Sequence, residues 1–167
     1  MKTLLLGLLL TLSAFAQKID VESDPSADFS RFKTFTLKPG RLNSQNPALN
    51  SELVRKRLDV DIQKYLEAKG LVFAPNGPAD LNVSYTLGAV RQSKVEAYPA
   101  GWRGWGTRIV RVPFTEGTLV TDLRVSATGS LVWRAIARED KSDALKVEGK
   151  LDDMVKKSFD KYPPKMK

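Results

Sequence analysis

Apolar and polar residues alternate in several stretches of the chain, and elsewhere the apolar ones recur every three or four positions. In "DLNVSYTLGAV", Leu81, Val83, Tyr85, Leu87 and Ala89 share one parity, and Asn82, Ser84 and Thr86 share the other. A period of two with one apolar face predicts a half-buried strand. "KIDVES" places Ile19 and Val21 on one face, and "KTFTL" does the same with Phe35 and Leu37, so each predicts a shorter strand. Asp24-Pro25 and Asp28 break the chain between them, and Pro39-Gly40 closes the second. "LVFA" is a further short apolar stretch, followed by a turn at "NGP".

"GTLVTDLRVSATGSLVWRAIARED" predicts a hairpin whose register follows from its pattern. Leu119, Leu123 and Val125 share a face with Thr121, and Leu131, Trp133, Ala135 and Ala137 share a face of the next strand. A two-residue loop would set Leu123 against Arg134 and mix the faces. A three-residue loop, Ala127-Thr128-Gly129, sets Leu123 against Trp133, Val125 against Leu131 and Asp122 against Arg134, with Gly129 left-handed.

Two stretches carry the helical period. In "NPALNSELVRKRLDVDIQKYLEAKG", Val54, Leu58, Ile62 and Leu66 form one stripe beside Tyr65. Asn46 caps this helix with Pro47 at its first position, or Asn50 caps a shorter version. Gly70 ends it in the left-handed conformation, with Leu71 folding back. In "DALKVEGKLDDMVKKSFDKYPPK", Val147, Leu151, Met154, Val155 and Phe159 recur likewise. Gly149 weakens the first turn by about 1 kcal/mol, and Tyr162-Pro163-Pro164 ends the helix.

One stretch fits neither period. "AYPAGWRGWGTRIVRVPF" holds Trp102 and Trp105, and its Pro99, Gly101, Gly104 and Gly106 interrupt any continuous strand. After Gly106 the alternation returns, so the flanks are expected to pair as hairpin arms, Arg91 to Val95 being the partner of "TRIVRV". The tip, Ala97 to Gly106, then projects beyond the core. Its tryptophans either fold back over a sheet edge or stay exposed beside Arg103 and Arg108 as a stacking surface with cations. The second expectation is favoured, because glycine-spaced tryptophans are a poor way to stabilise a core. It makes Tyr98, Trp102, Arg103, Trp105 and Arg108 the candidate partner-binding residues.

Five or six strands with single apolar faces and two amphipathic helices predict an α+β fold. The expected architecture is a two-layer sandwich, its mostly antiparallel or mixed sheet covered on one face by the helices. A doubly wound sheet would need strands apolar on both faces.

The N-terminus adds an address. Lys2, the apolar run from Leu4 to Leu12 and Ala14-Phe15-Ala16 have the layout of a secretory signal peptide cleaved after Ala16. The run is near half the roughly 20 residues a membrane span needs. Residues 1–16 are therefore expected to be removed, leaving 17–167 as one domain in the periplasm, with no transmembrane segment. Gln17 stands where a lipidation cysteine would stand, so no lipid anchor is expected.

Composition narrows the chemistry. The chain has no cysteine and no histidine. Disulfides, thiol nucleophiles and histidine-activated serines are excluded, and both usual zinc ligands are missing. The formal charge is +8, or +7 without Lys2. Outside the cytoplasm such a charge faces phospholipid headgroups, lipopolysaccharide or wall polymers rather than nucleic acid. The lysines from Lys141 to Lys167 are spread around a helix and a tail, as on an ordinary solvated surface.

In order along the chain, "DPSADFSRFKTF", "YLEAKGL", "PADLNVSY", "EGTLVTDL" with "LVWRA", and "YPPK" resemble a bacterial family catalogued as domain of unknown function 4136. Its members are mostly envelope lipoproteins. The resemblance covers nearly all of the chain after residue 16, with the tryptophan stretch at the place of the family's aromatic, glycine-rich insert. It implies an exported envelope domain with no catalytic residues to carry over. Ser126, where the family often has an acid, and Ala135, where it often has glycine, depart from the pattern.

The expectation is a non-enzymatic envelope protein that binds a partner protein or an anionic envelope component, with no cofactor and no metal. The alternatives are a glycan or cell-wall hydrolase working through carboxylates, and a binder of anionic lipid or glycan. Asp24, Asp28, Asp80 and Asp122 are the candidate acids, each with a structural role available in a turn, before a strand or opposite Arg134. Asp20, Glu22 and Asp24 alternate on one strand, but the glycine-containing loop that wraps calcium is missing.

Overall fold

A computed structural model describes residues 17–44, 46–99 and 107–165. The seven strands are β1 (Lys18–Ser23), β2 (Thr34–Leu37), β3 (Arg41–Ser44), β4 (Val72–Phe73), β5 (Leu81–Pro99), β6 (Thr107–Val125) and β7 (Leu131–Lys141). The helices are α1 (Glu52–Ala68), α2 (Ala144–Glu148) and α3 (Leu151–Phe159). The strands form one open mixed sheet in the order β1-β7-β6-β5-β2-β4, with β3 also on β5. Neighbours from β1 to β5 are antiparallel, and β2, β3 and β4 join in parallel. The α+β expectation holds.

The helices cover one face of the sheet. Phe35, Leu81, Val83, Tyr85, Leu87, Leu119, Leu123, Trp133, Ala135 and Ala137 meet Val54, Leu58, Ile62 and Leu66 of α1 and Val147, Leu151, Met154, Val155 and Phe159 of α2 and α3 in one core. Trp133 stacks on Phe159, ring centroids 5.4 Å apart, and meets Tyr162 edge-on at 5.7 Å. The opposite face carries cross-strand ion pairs, Arg134 with Asp122 and Arg138 with Asp20.

Several local expectations need correction. Neither Asn46 nor Asn50 caps α1. Ser51 does, its Oγ accepting from the Val54 N–H at 3.2 Å, while Asn46 closes the turn before it by accepting from Ala48. The second helical stretch is two helices, parted at Gly149 and Lys150, with Asp143 capping the first. In the β6–β7 hairpin, Leu123 faces Trp133 and Asp122 faces Arg134 as expected, but Arg124, not Val125, faces Leu131. The register shifts there, and Val132 and Trp133 in succession turn into the core. A bulge of this kind adds one residue to one strand and re-aims its side chains. Gly70 and Gly129 have φ of 88° and 73°, as the patterns required.

Candidate functional site

The sheet extends a long two-stranded ribbon. β5 and β6 pair without interruption from Leu81 with Val125 to Pro99 with Thr107. β3 leaves β5 at Ala89, and β7 leaves β6 at Thr115. Beyond those points each strand has only the other. At about 3.3 Å per residue, ten residues of β5 carry the ribbon about 30 Å past the sheet. The arms do pair, but Thr107 to Val112 lie opposite Pro99 to Lys94, so only Lys94 and Val95 of the expected partner Arg91 to Val95 face them, and Ala97 to Pro99, expected in the tip, belong to the strand. Proline is tolerated at Pro99 and Pro113 because each strand there has a free edge and loses no ladder bond.

The ribbon has two unlike faces. The core-side parity continues as Arg91, Ser93, Val95 and Ala97 on β5 and Ile109, Arg111, Pro113 and Thr115 on β6. Val95 and Ile109 are 63% and 70% exposed. The other face carries Val90, Gln92, Lys94 and Glu96 opposite Glu116, Phe114, Val112 and Val110, then Arg108 opposite position 98. Its charges are balanced locally. Lys94 meets Glu96 at 2.8 Å, and Gln92 donates to Glu116 at 3.3 Å.

Of the candidate binding residues, Arg108 is exposed near the start of β6. Tyr98 is placed by its backbone in β5. Trp102, Arg103 and Trp105 lie outside the described residues. Sequence reasoning missed Arg91 and Arg111 as a pair on one face, although their parity with Val95 and Ile109 was readable.

At the base of the ribbon, where the helix layer stops, lies a cleft of about 800 Å³. Asn43, Ser44, Asn46, Asn50, Arg91, Thr115, Ser142 and Asp143 give it a polar lining over Leu42, Ala89 and Val90. Asn46 and Asn50 were read as helix caps and therefore not as lining.

The candidate acids are occupied structurally. Asp24 accepts from the Ser26 hydroxyl and N–H, and Asp28 does the same with Ser30, which holds both carboxyls below their ordinary value of 3.8. Asp80 accepts from the Lys33 and Thr34 N–H groups at 2.8 and 2.9 Å and from the Thr34 hydroxyl, and it too is held low, chiefly by the two backbone donors. Asp122 takes a two-pronged bond from Arg134 at 2.6 and 2.7 Å. Asp20 pairs with Arg138 rather than joining Glu22 and Asp24. Among the described residues no three potential ligands gather as a metal site.

Two further acids escaped the sequence reading. Glu139, inward by its parity with Ala135 and Ala137, is buried against Lys141. Asp61 lies where α1 meets α3, its carboxyl pushed up by burial and by the nearby Asp152. Asp152 itself accepts from the Tyr65 hydroxyl at 2.9 Å.

The family described as "Domain of unknown function (DUF4136)" matches residues 19–164, and the chain belongs to it. No curated protein matches the sequence. Among solved structures, a PDZ domain protein from Parabacteroides distasonis is similar at a TM-score of 0.58 and 17% identity over 89% of this chain, which spans only 35% of that one. A PelC variant from Paraburkholderia phytofirmans, a dodecamer, is similar at 0.51 and 14% identity over 86% of this chain and 94% of its own. A neuraminyllactose-binding hemagglutinin homologue from Helicobacter pylori is similar at 0.53 and 11% identity over 81% and 88%. Likenesses at such identities concern the fold.

Proposed function

We propose, with membership of that family as the premise, that the protein is an exported, non-enzymatic binding module of the bacterial cell envelope, working in the periplasm through the β5–β6 ribbon and its tip. The observation that carries this reading is the ribbon itself. It extends the two central strands well beyond the core, and it exposes Val90, Val95 and Ile109 where no packing requires them. Exposed aliphatic groups on a projecting element are a cost in solubility, and an interaction surface explains their presence. Tyr98, Trp102, Arg103, Trp105 and Arg108 cluster in sequence at its end and suit anchoring residues. The hydrolase alternative loses ground because its four carboxylates are held in structural bonds, three of them at lowered rather than raised proton affinity.

The test shortens the ribbon. Replacing Ser93–Pro113 by Asn-Gly joins the paired residues Gln92 and Phe114 through a two-residue turn. The shortened protein should keep its circular dichroism spectrum and melting temperature but lose sedimentation with isolated envelope membranes. Undiminished sedimentation would show that the ribbon is not the working part. A second reading is self-assembly, prompted by the PelC neighbour of similar fold, which is a dodecamer. Light scattering on the full and shortened proteins separates the two.

A further inference from the structure

Resting on the ribbon as the working part, we infer that one of its two faces seats on an anionic lipid surface. This is the core-side face, which carries Ser93 and Pro113 between the Arg91 and Arg111 rungs, Val95 opposite Arg111, and the Ala97–Ile109 pair beyond.

The first argument is charge. Between the pairs Arg91–Thr115 and Ala97–Ile109 this face holds two arginines and no carboxylate, whereas the other face holds Glu96 and Glu116 beside its cations. The surface complementary to a cationic, acid-free face is anionic. The second argument is the apolar part. Val95 lies opposite Arg111, and Ile109 opposite Ala97, so aliphatic groups alternate with guanidinium-bearing stems. Arginine stems lie along apolar matter while their heads stay among polar groups. That combination suits the boundary between headgroups and acyl chains. The third argument is access. The helix layer ends where Gly117 meets Val147 of α2; Arg91 and Thr115 line the cleft there with Ser142 and Asp143, and beyond them Ser93, Val95, Ala97, Ile109, Arg111 and Pro113 are exposed. A second copy of the same face is a poorer occupant. A two-fold contact would bring the arginines of one copy toward those of the other with no carboxylate between them.

The experiment is sedimentation of residues 17–167 with vesicles of phosphatidylcholine alone and of phosphatidylcholine mixed with phosphatidylglycerol. Binding is expected to the mixed vesicles only and to fall as salt rises. Arg91→Gln and Arg111→Gln should each weaken it about fivefold, the effect of one cation near an anionic leaflet. Ile109→Asp should weaken it at least as much, and Lys94→Gln on the opposite face should weaken it clearly less. Each variant should melt as the parent does. No binding to the mixed vesicles would overturn the inference, as would equal losses from both faces, or a light-scattering oligomer that the Ile109→Asp change dissociates. If envelope membranes are still bound through the ribbon while the mixed vesicles are not, the lipid surface is wrong and the ribbon reading stands. If the shortened protein binds envelope membranes as the full one does, the ribbon reading itself fails.

Discussion

Asp80 shows how a residue that looked like a candidate acid acts as a clasp. It sits just before β5 and takes both N–H groups at the start of β2 and the Thr34 hydroxyl, while Thr34 Oγ1 accepts the Asp80 N–H in return. Its folded proton affinity lies below the ordinary 3.8. A carboxyl shifted in that direction contributes its full stability above the ordinary value and loses it as the pH falls through the lowered one. Asp80→Ala should therefore cost about 1.5–3 kcal/mol at neutral pH, the range for hydrogen bonds to a charged group. The gap to the parent should close in acid. Urea unfolding at pH 7 and below pH 3.8 measures it, and a gap independent of pH would refute the clasp. The sequence placed Asp80 correctly before a strand but could not supply its partner. Lys33 and Thr34 lie more than forty residues away, and no periodicity links them.

At the scale of elements, long periodic segments were legible and their irregularities were not. The stripe of α1, the face of β5 and the pairing of Leu123 with Trp133 all followed from spacing. β3 was missed because its four residues carry only Leu42 and the buried Ser44 on the inner side, too little alternation to read. The bulge at Val132 was hidden because "LVW" is apolar at all three positions and fits either register. The split between α2 and α3 has a partial signal in Gly149, but the contact it serves is non-local. Where α2 crosses β6, a Cβ on Gly117 would stand 2.3 Å from Val147 Cγ1. Gly117 is thus the notch that admits α2. Gly117→Ala should cost about 1–3 kcal/mol through overpacking. Val147→Ala removes the clashing methyl at its own cavity cost, and the double variant should be more stable than the two single losses summed predict. Such contacting pairs couple by about 0.5–3 kcal/mol. Additive losses in urea titrations would mean that Gly117 is needed for some other reason.

At the scale of the whole molecule, the described core can be set beside the leader expected from the sequence. Every buried core residue among those described lies at or beyond Phe35, and the partly buried Ile19 and Val21 of β1 complete the sheet edge. β1 pairs with β7 over all six of its residues, and Lys161 reaches across to donate to the Ile19 carbonyl at 2.8 Å. Among the described residues the sheet begins at Lys18, one residue after the point where the Ala14-Phe15-Ala16 pattern places the cut. The absence of cysteine means that oxidation has no part in folding, so the compartment of synthesis should not matter to the folded state. Made with its leader in an exporting bacterium, the protein should be recovered from the periplasm beginning at Gln17. Made directly from Gln17 in a reducing cytoplasm, it should give the same urea midpoint. A version starting at Asp24 should be clearly less stable, because it strips β1 from β7 and exposes Ile19's and Val21's packing partners. N-terminal sequencing and the three unfolding curves decide the matter. Retention of Met1 in the exported product, or a Gln17 start less stable than the exported protein, would show that the leader and the fold are not separable at this boundary.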